Sequence, residues 1–293
     1  MQSSSKIPKV NIRVLSGLIS NAGFRRLLID DDFKTYGKHL KNTLKKGGIN
    51  LDGKIPIQEL LSISYGQLLR DYRHEFVYKT SLLSSYILKN YSLDDTIILN
   101  EFKIGGSKAD MVLVNGCNKV FEIKTELDTP ERLKTQIADY YKAFSEVYIV
   151  THYTLINKYA SLLDTSVGLL SFNEDYSLSL VREAEKRSKE FDTDIMLKCL
   201  RKPEYLQLIK KLSGIGLVSN NFNVFKECLL IAKTFEPLEV QYHFLQIIKN
   251  RITKQDALIL DEQVPDYLKF SCYCLNLKEN HYLALENRLA YNI

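Results

Sequence analysis

The sequence has no C-x-x-C pair, no H-E-x-x-H or H-x-x-x-H pattern and no tryptophan. Its five cysteines (Cys117, Cys199, Cys228, Cys272 and Cys274) are irregularly spaced, and the close pair is C-Y-C. That spacing argues against a zinc knuckle or a disulfide framework, so the thiols read as reduced and mostly buried. The five histidines are scattered, which argues against a histidine-based metal site. No apolar run is long enough to cross a bilayer. The first residues, MQSSSKIPKV, carry no signal-peptide core. The expectation is a soluble, cytoplasmic protein without a membrane partner. No fixed-period repeat and no low-complexity tract occurs. With tryptophan missing, the 18 tyrosines are candidates for stacking on bases, although Tyr140 and Tyr141 suit an apolar helix stripe.

What is present is a substantial core and an uneven charge. Apolar residues make up 45% of 293, enough for one large domain or two modest ones. The net charge of +5 is not spread evenly. Residues 1–67 hold eleven Lys/Arg against five Asp/Glu, residues 68–189 sixteen against seventeen, and residues 190–293 thirteen of each. The basic excess is therefore N-terminal, where a polyanion would be attracted. An ordinary solvated helical face explains it equally well.

Apolar residues at three- and four-residue steps predict helix over 11–47 and again from Pro56, with a bend near Gly66. The pattern then turns to strands. TIILNEFKI ends at Gly105-Gly106, ADMVLV follows, and Asn115-Gly116 leads into KVFEIKT. Asn-Gly between apolar runs predicts a hairpin. In LDTPERLKTQIADYYKAF, Asp128 and Glu131 have capping-box spacing and Pro130 suits a first turn. EVYIVTH and VGLLSF read as buried strands. A helix crossing between strands implies a parallel pair, so the class is α/β with a mixed sheet. From about residue 182 the spacing is helical again, starting with VREAEKRSKEF. Three regions are expected: a basic helical region at 1–67, a core at 68–185 and a helical region at 186–293.

One strand carries an acid and a base on the same face. In FEIKT, alternation puts Glu122 and Lys124 together. With a three-residue hairpin loop, Val114 opposes Asn118 and Asp110 opposes Glu122, with Cβ atoms about 5 Å apart. Two carboxylates that close repel unless a cation lies between them. Oxygen ligands of this kind suit Mg²⁺, which takes one or two carboxylates and keeps several waters. Lys124 would stand beside a metal-bound water. A solvated strand with a Glu122–Lys124 or Asp110–Lys124 ion pair would also fit.

Together with YRHEFVYK before them and VYIVTH after them, SKAD and FEIKTELDTPERLKTQIADYY resemble the PD-(D/E)XK nuclease superfamily, in one bacterial branch. The resemblance covers residues 70 to about 175. Lys108-Ala109 departs from it, standing where a proline often precedes the acid. The resemblance implies a restriction-endonuclease-like mixed sheet with flanking helices. It also implies a Mg²⁺-dependent phosphodiester hydrolase, with Mn²⁺ able to substitute, acting on nucleic acid and on DNA before RNA. Asp110, Glu122 and the backbone carbonyl of Ile123 would ligate the metal, and Lys124 would orient or activate the attacking water. Glu75 resembles an additional helical acid near the metal, against an ion pair with Arg73 or Lys79. Gln136 resembles a glutamine placed near the site, against a polar helix flank. Glu101 is assigned to an ion pair with Lys108. LSGIG, residues 212–216, resembles a helix-hairpin-helix turn, but a glycine-ended helix is simpler. The alternative function is a non-cleaving nucleic-acid-binding or partner-binding module, in a defence or mobile-element system. A partner protein or a second copy is a further candidate partner.

Overall fold

In the computed structural model, the described residues are 9–116, 118–214, 216, 223–251 and 257–293. They form a mixed α/β protein of two compact units. The first draws on Met1–Tyr91, Asp175–Leu178 and Lys254–Ile293, and the second on Ser92–Glu174 and Ser179–Thr253. This division differs from the three consecutive regions read from the sequence. The first unit runs on past residue 67, and the last helices join it rather than forming a region of their own. Among the described residues no helix is long and apolar enough to cross a membrane.

The first unit opens with α1 (Lys9–Leu18), α2 (Asn21–Leu28), α3 (Phe33–Lys46) and α4 (Ile57–Asp71). It continues with α5 (Glu75–Ser81), a π-helical turn (Leu82–Ile87) and α6 (Leu88–Asn90). The single helical stretch expected over 11–47 is thus three helices. Ser20 accepts from the Gly23 amide and starts α2, and the Asp30–Asp32 run separates α2 from α3. The bend expected at Gly66 is also displaced. Gly66 lies inside α4, and the chain breaks at Tyr72, which has φ −157° and ψ 79°. One exposed-helix glycine costs only about 1 kcal/mol, and burial of Leu60, Leu61, Ser64 and Leu68 outweighs it.

The second unit is built on strands β1 (Ile97–Ile104), β2 (Ser107–Val114), β3 (Asn118–Lys124), β4 (Glu146–His152), β5 (Gly168–Phe172) and β6 (Leu178–Arg182), in that spatial order. β1, β2 and β3 pair antiparallel, whereas β3–β4 and β4–β5 are parallel. The crossovers carry α7 (Leu133–Tyr141) and α8 (Ile156–Leu162). Gly105, with φ +58°, makes the tight β1–β2 turn. A side chain there would also crowd Asp139, which receives the Ser107 hydroxyl at 2.7 Å.

Beyond β6 come α9 (Thr193–Lys198), α10 (Lys202–Ser213), α11 (Val224–Ala232) and α12 (Pro237–Lys249), and in the first unit α13 (Asp266–Cys274) and α14 (Glu279–Ala290). VREAEKRSKEF is not helical. Its first two residues finish β6, and the Glu185 and Arg187 amides donate to the carbonyls of Ser166 and Ser145, holding the segment extended. α10 stops at Gly214, in the left-handed region at φ 74°. Ile215 of LSGIG lies outside the described residues. Helices α7 and α9–α12 cover one face of the sheet, packing Tyr140, Phe144, Leu208 and Phe244 against Val112, Val120, Val147 and Ile149.

Candidate active site on the central hairpin

Strands β2 and β3 pair with Val114 opposite Asn118 and Met111 opposite Phe121, the register that a three-residue loop gives. Carried one step past that last pair, the register sets Asp110 opposite Glu122. The ladder changes character there. The Oδ2 of Asp110 accepts the Ile123 amide at 2.7 Å, so a side chain caps the strand pair. In a β-strand the N–H and C=O of one residue point to the same side. The Ile123 carbonyl therefore also faces the β2 side, where the Asp110 carboxylate is.

Glu122 is 2% exposed and Lys124 is 7% exposed. Both lie on the sheet face that α7 covers. The Lys124 ammonium donates to Glu122 Oε1 at 2.7 Å and to the Gln136 carbonyl oxygen at 3.0 Å. The Gln136 amide donates to the same Glu122 oxygen at 2.6 Å. The Tyr140 hydroxyl donates to Glu122 Oε2 at 2.5 Å and lies 3.1 Å from the Lys108 carbonyl. Burial, then the charges of Glu122 and Asp110, push the Tyr140 phenol well above its ordinary pKa. It therefore stays protonated and remains a donor. After β3 the chain turns sharply, because Asp128 accepts both the amide (2.8 Å) and the hydroxyl (2.7 Å) of Thr125. Asp128 is thus committed to this turn and does not form the expected capping box. α7 begins only at Leu133, with Arg132 at its cap and no side-chain cap bond.

Asp110, Glu122, Ile123, Lys124 and Gln136 accordingly form one group at this end of the hairpin, with Asp110 bonded to the Ile123 amide and with Lys124 and Gln136 bonded to Glu122. Glu75 is not part of it. It belongs to the first unit, where its carboxylate pairs with Lys79 one turn along α5, the ion pair weighed against a metal role. Glu101 pairs with Lys108 at 2.6 Å, as assigned from the sequence. Tyr140 is the member that the sequence reading missed. It sits four residues after Gln136, about 40° round the same helix, and that spacing was the available signal.

No group of three or more His, Cys, Asp or Glu able to hold a metal occurs among the described residues. Mg²⁺ does not require one, since one or two carboxylates and waters suffice. Two opposed carboxylates and an adjacent backbone carbonyl are hard oxygen donors of the right kind. Asp110, Glu122 and Ile123 could hold such an ion.

Comparison with known proteins places the chain. The family described as bacteriophage P4 protein cII matches residues 69–268, more than half of the sequence. The chain belongs to that family. A curated member, protein cII of Enterobacteria phage P4, is 24% identical over 175 residues, covering 58% of this chain and 64% of its own length. The chain thus spans somewhat less than two thirds of that relative. The family match takes in the whole hairpin network. Among solved structures, the SPO1766 protein of unknown function from Silicibacter pomeroyi is 22% identical over 32% of this chain and 63% of its own, with a TM-score of 0.27. That score is too low to equate the two folds.

Proposed function

We propose that this protein is a metal-dependent nuclease of the PD-(D/E)XK type, on a restriction-endonuclease-like fold, hydrolysing phosphodiester bonds in DNA. The observation that carries the proposal is the convergence of Asp110, Glu122, Lys124 and Gln136 on one end of a rigid hairpin. When bound, Mg²⁺ would polarise the scissile phosphate and lower the pKa of an attacking water. The residues supply the rest. Asp110, Glu122 and the Ile123 carbonyl would hold the cation, and relief of the repulsion between the two carboxylates would favour its entry. Lys124 can orient the attacking water and offset negative charge building on the phosphorus oxygens. Gln136 and Tyr140 hold the Glu122 carboxylate from the α7 side and fix its rotamer.

A second reading is favoured by one feature. Both oxygens of Glu122 already receive donors from Lys124, Gln136 and Tyr140. A closed network of this kind suits a module that binds nucleic acid or a protein without cutting. Incubating the purified chain with duplex DNA, single-stranded DNA and RNA, each with Mg²⁺, Mn²⁺ or EDTA, separates the two. Cleavage that needs metal and disappears in Asp110→Asn supports the nuclease. No cleavage of any substrate with either metal overturns it.

A further inference from the structure

Helix α3 reads FKTYGKHLKNTLKK and contains no acidic residue. Its buried side is Tyr36, Gly37, Leu40, Thr43 and Leu44, which fixes the helix in the first unit. Its exposed positions include Lys34, Lys38, Asn42, Lys45 and Lys46. At 3.6 residues per turn, Lys34, Lys38 and Lys45 fall within about 40° of one another and span about 16 Å of axis. The side chains of Lys38, Lys45 and Lys46 enter no ion pair or hydrogen bond among the described residues. Of the three acids just before the helix, Asp30 pairs with Arg25 at 3.5 Å and Asp32 with Arg26 at 2.7 Å, and the exposed Asp31 forms no ion pair with these lysines among the described residues. Lys34 lies 5.2 Å from the centre of the Tyr291 ring, which orients its ammonium without neutralising it.

An aligned row of uncompensated ammonium groups on a rigid helix repels itself, and binding of an anion relieves that cost. The spacing fits an extended polyanion better than a point ligand. A membrane surface would instead need apolar side chains among the exposed ones, and every apolar residue past the first turn of α3 is buried. Asn42 adds a neutral hydrogen-bond donor of the kind that contacts phosphate oxygens. We infer that the exposed face of α3 is a docking surface for the phosphodiester backbone of nucleic acid, read without regard to sequence. The inference extends the nucleic-acid substrate of the proposed nuclease to a definite surface, but it rests on separate residues and can fail separately.

The test is the binding of a labelled, mixed-sequence DNA duplex to the full chain, followed by fluorescence anisotropy in EDTA across a salt series. Without metal the cleavage chemistry does not enter. Each lysine–phosphate contact contributes a slope of about −0.9 to log K against log salt. The triple variant Lys38→Gln/Lys45→Gln/Lys46→Gln is expected to flatten the slope by about 2.7 and to weaken binding about tenfold or more. An unchanged slope and affinity overturns the inference. So does loss of binding to phosphatidylserine vesicles while DNA binding stays intact, which would assign the face to membranes. If the triple variant does not give the wild-type melting curve, Lys38→Gln alone decides, by flattening the slope about 0.9 or not at all. Intact metal-free binding together with absent cleavage in Mg²⁺ would sink the nuclease reading and leave this one standing.

Discussion

Strand β3 carries two lysines, and each ends in a cluster of acids with one tyrosine. Lys124 meets Glu122 and Gln136, the Tyr140 hydroxyl bonds the same Glu122 carboxylate, and Asp110 stands opposite. Lys119, on the other face, meets Glu146 at 3.2 Å and the Tyr148 hydroxyl at 3.2 Å, and that hydroxyl donates to Glu183 at 2.6 Å. Each cluster has two acids, one lysine and one tyrosine, and the Glu122 cluster adds Gln136. Their wiring differs. The Lys119–Glu146 pair spans neighbouring strands in register, and Glu146 Oε1 has no hydrogen-bond partner among the described residues although the residue is 4% exposed. In the Glu122 cluster three donors converge on one carboxylate, and a second carboxylate stands across the hairpin beside a backbone carbonyl. Composition alone therefore does not make a site. The strand register sets two carboxylates face to face in one cluster and sets acid against base in the other.

The comparison can be broken most directly by activity. Glu122→Gln is expected to abolish metal-dependent cleavage, whereas Glu146→Gln leaves the rate per folded molecule unchanged. Cleavage assays normalised by folded fraction would read this, and equal loss in both would erase the distinction. Stability is expected to run the other way. Lys119→Met removes the cation from a buried carboxylate that already lacks one partner, which costs about 3–5 kcal/mol. Denaturant unfolding of the variant measures that loss.

Metal response should sharpen the contrast further. Wild type at Mg²⁺ a hundredfold above its dissociation constant gains about 2.7 kcal/mol, and Asp110→Ala should gain none. In EDTA two effects oppose each other in that variant. It loses a charge-assisted bond to the Ile123 amide, worth about 1.5–3 kcal/mol, and it escapes repulsion with Glu122. Thermal melts with Mg²⁺ and with EDTA check both parts, and an equal metal shift in the two proteins removes Asp110 from the ligand set.

The smallest effect expected is that of Tyr140→Phe, about 1–2 kcal/mol for a lost bond to a buried carboxylate. It carries a pH signature. The folded protein holds the Tyr140 proton above the ordinary tyrosine pKa, whereas the unfolded chain releases it near pH 10. This contribution is therefore complete below about pH 10 and falls as pH rises beyond it. Melting temperature should decline more steeply above that pH in wild type than in Tyr140→Phe. Parallel declines would show that Tyr140 does not carry the effect.

The sequence exposed the hairpin because two local signals agreed. Asn-Gly fixed where the chain turns, and the period of two then fixed which side chains share a face. Gln136 was visible because it lies off the apolar stripe of its helix. Tyr140 was hidden because its ring belongs to that stripe and only its hydroxyl reaches Glu122, and periodicity reports rings, not hydroxyls. Asp128 has the spacing of a cap, but spacing cannot say whether a carboxylate bonds forward to a helix or back to Thr125. VREAEKRSKEF has helical composition, yet its amides bond to Ser145 and Ser166, which lie far back along the chain. The two-unit division was illegible for a related reason. The first unit joins segments more than a hundred residues apart, and no local pattern records that.

β3 is the strand where antiparallel pairing on one side gives way to parallel pairing on the other. The two pairings differ in the length of chain that must be closed. The β2–β3 hairpin closes over a three-residue turn and can form within about 1–10 μs. The β3–β4 pair waits for α7 to fold across the sheet, a longer loop with a larger entropic cost. Asp110 and Glu122 can therefore meet early, while Gln136 and Tyr140 arrive only with α7. During that interval the two acids are held together with Lys124 beside Glu122. The chain thus sets two acids opposite each other before the Gln136 and Tyr140 donors arrive, and slowing α7 by a helix-breaking change at Ala138 would lengthen the exposure without altering any residue of the hairpin.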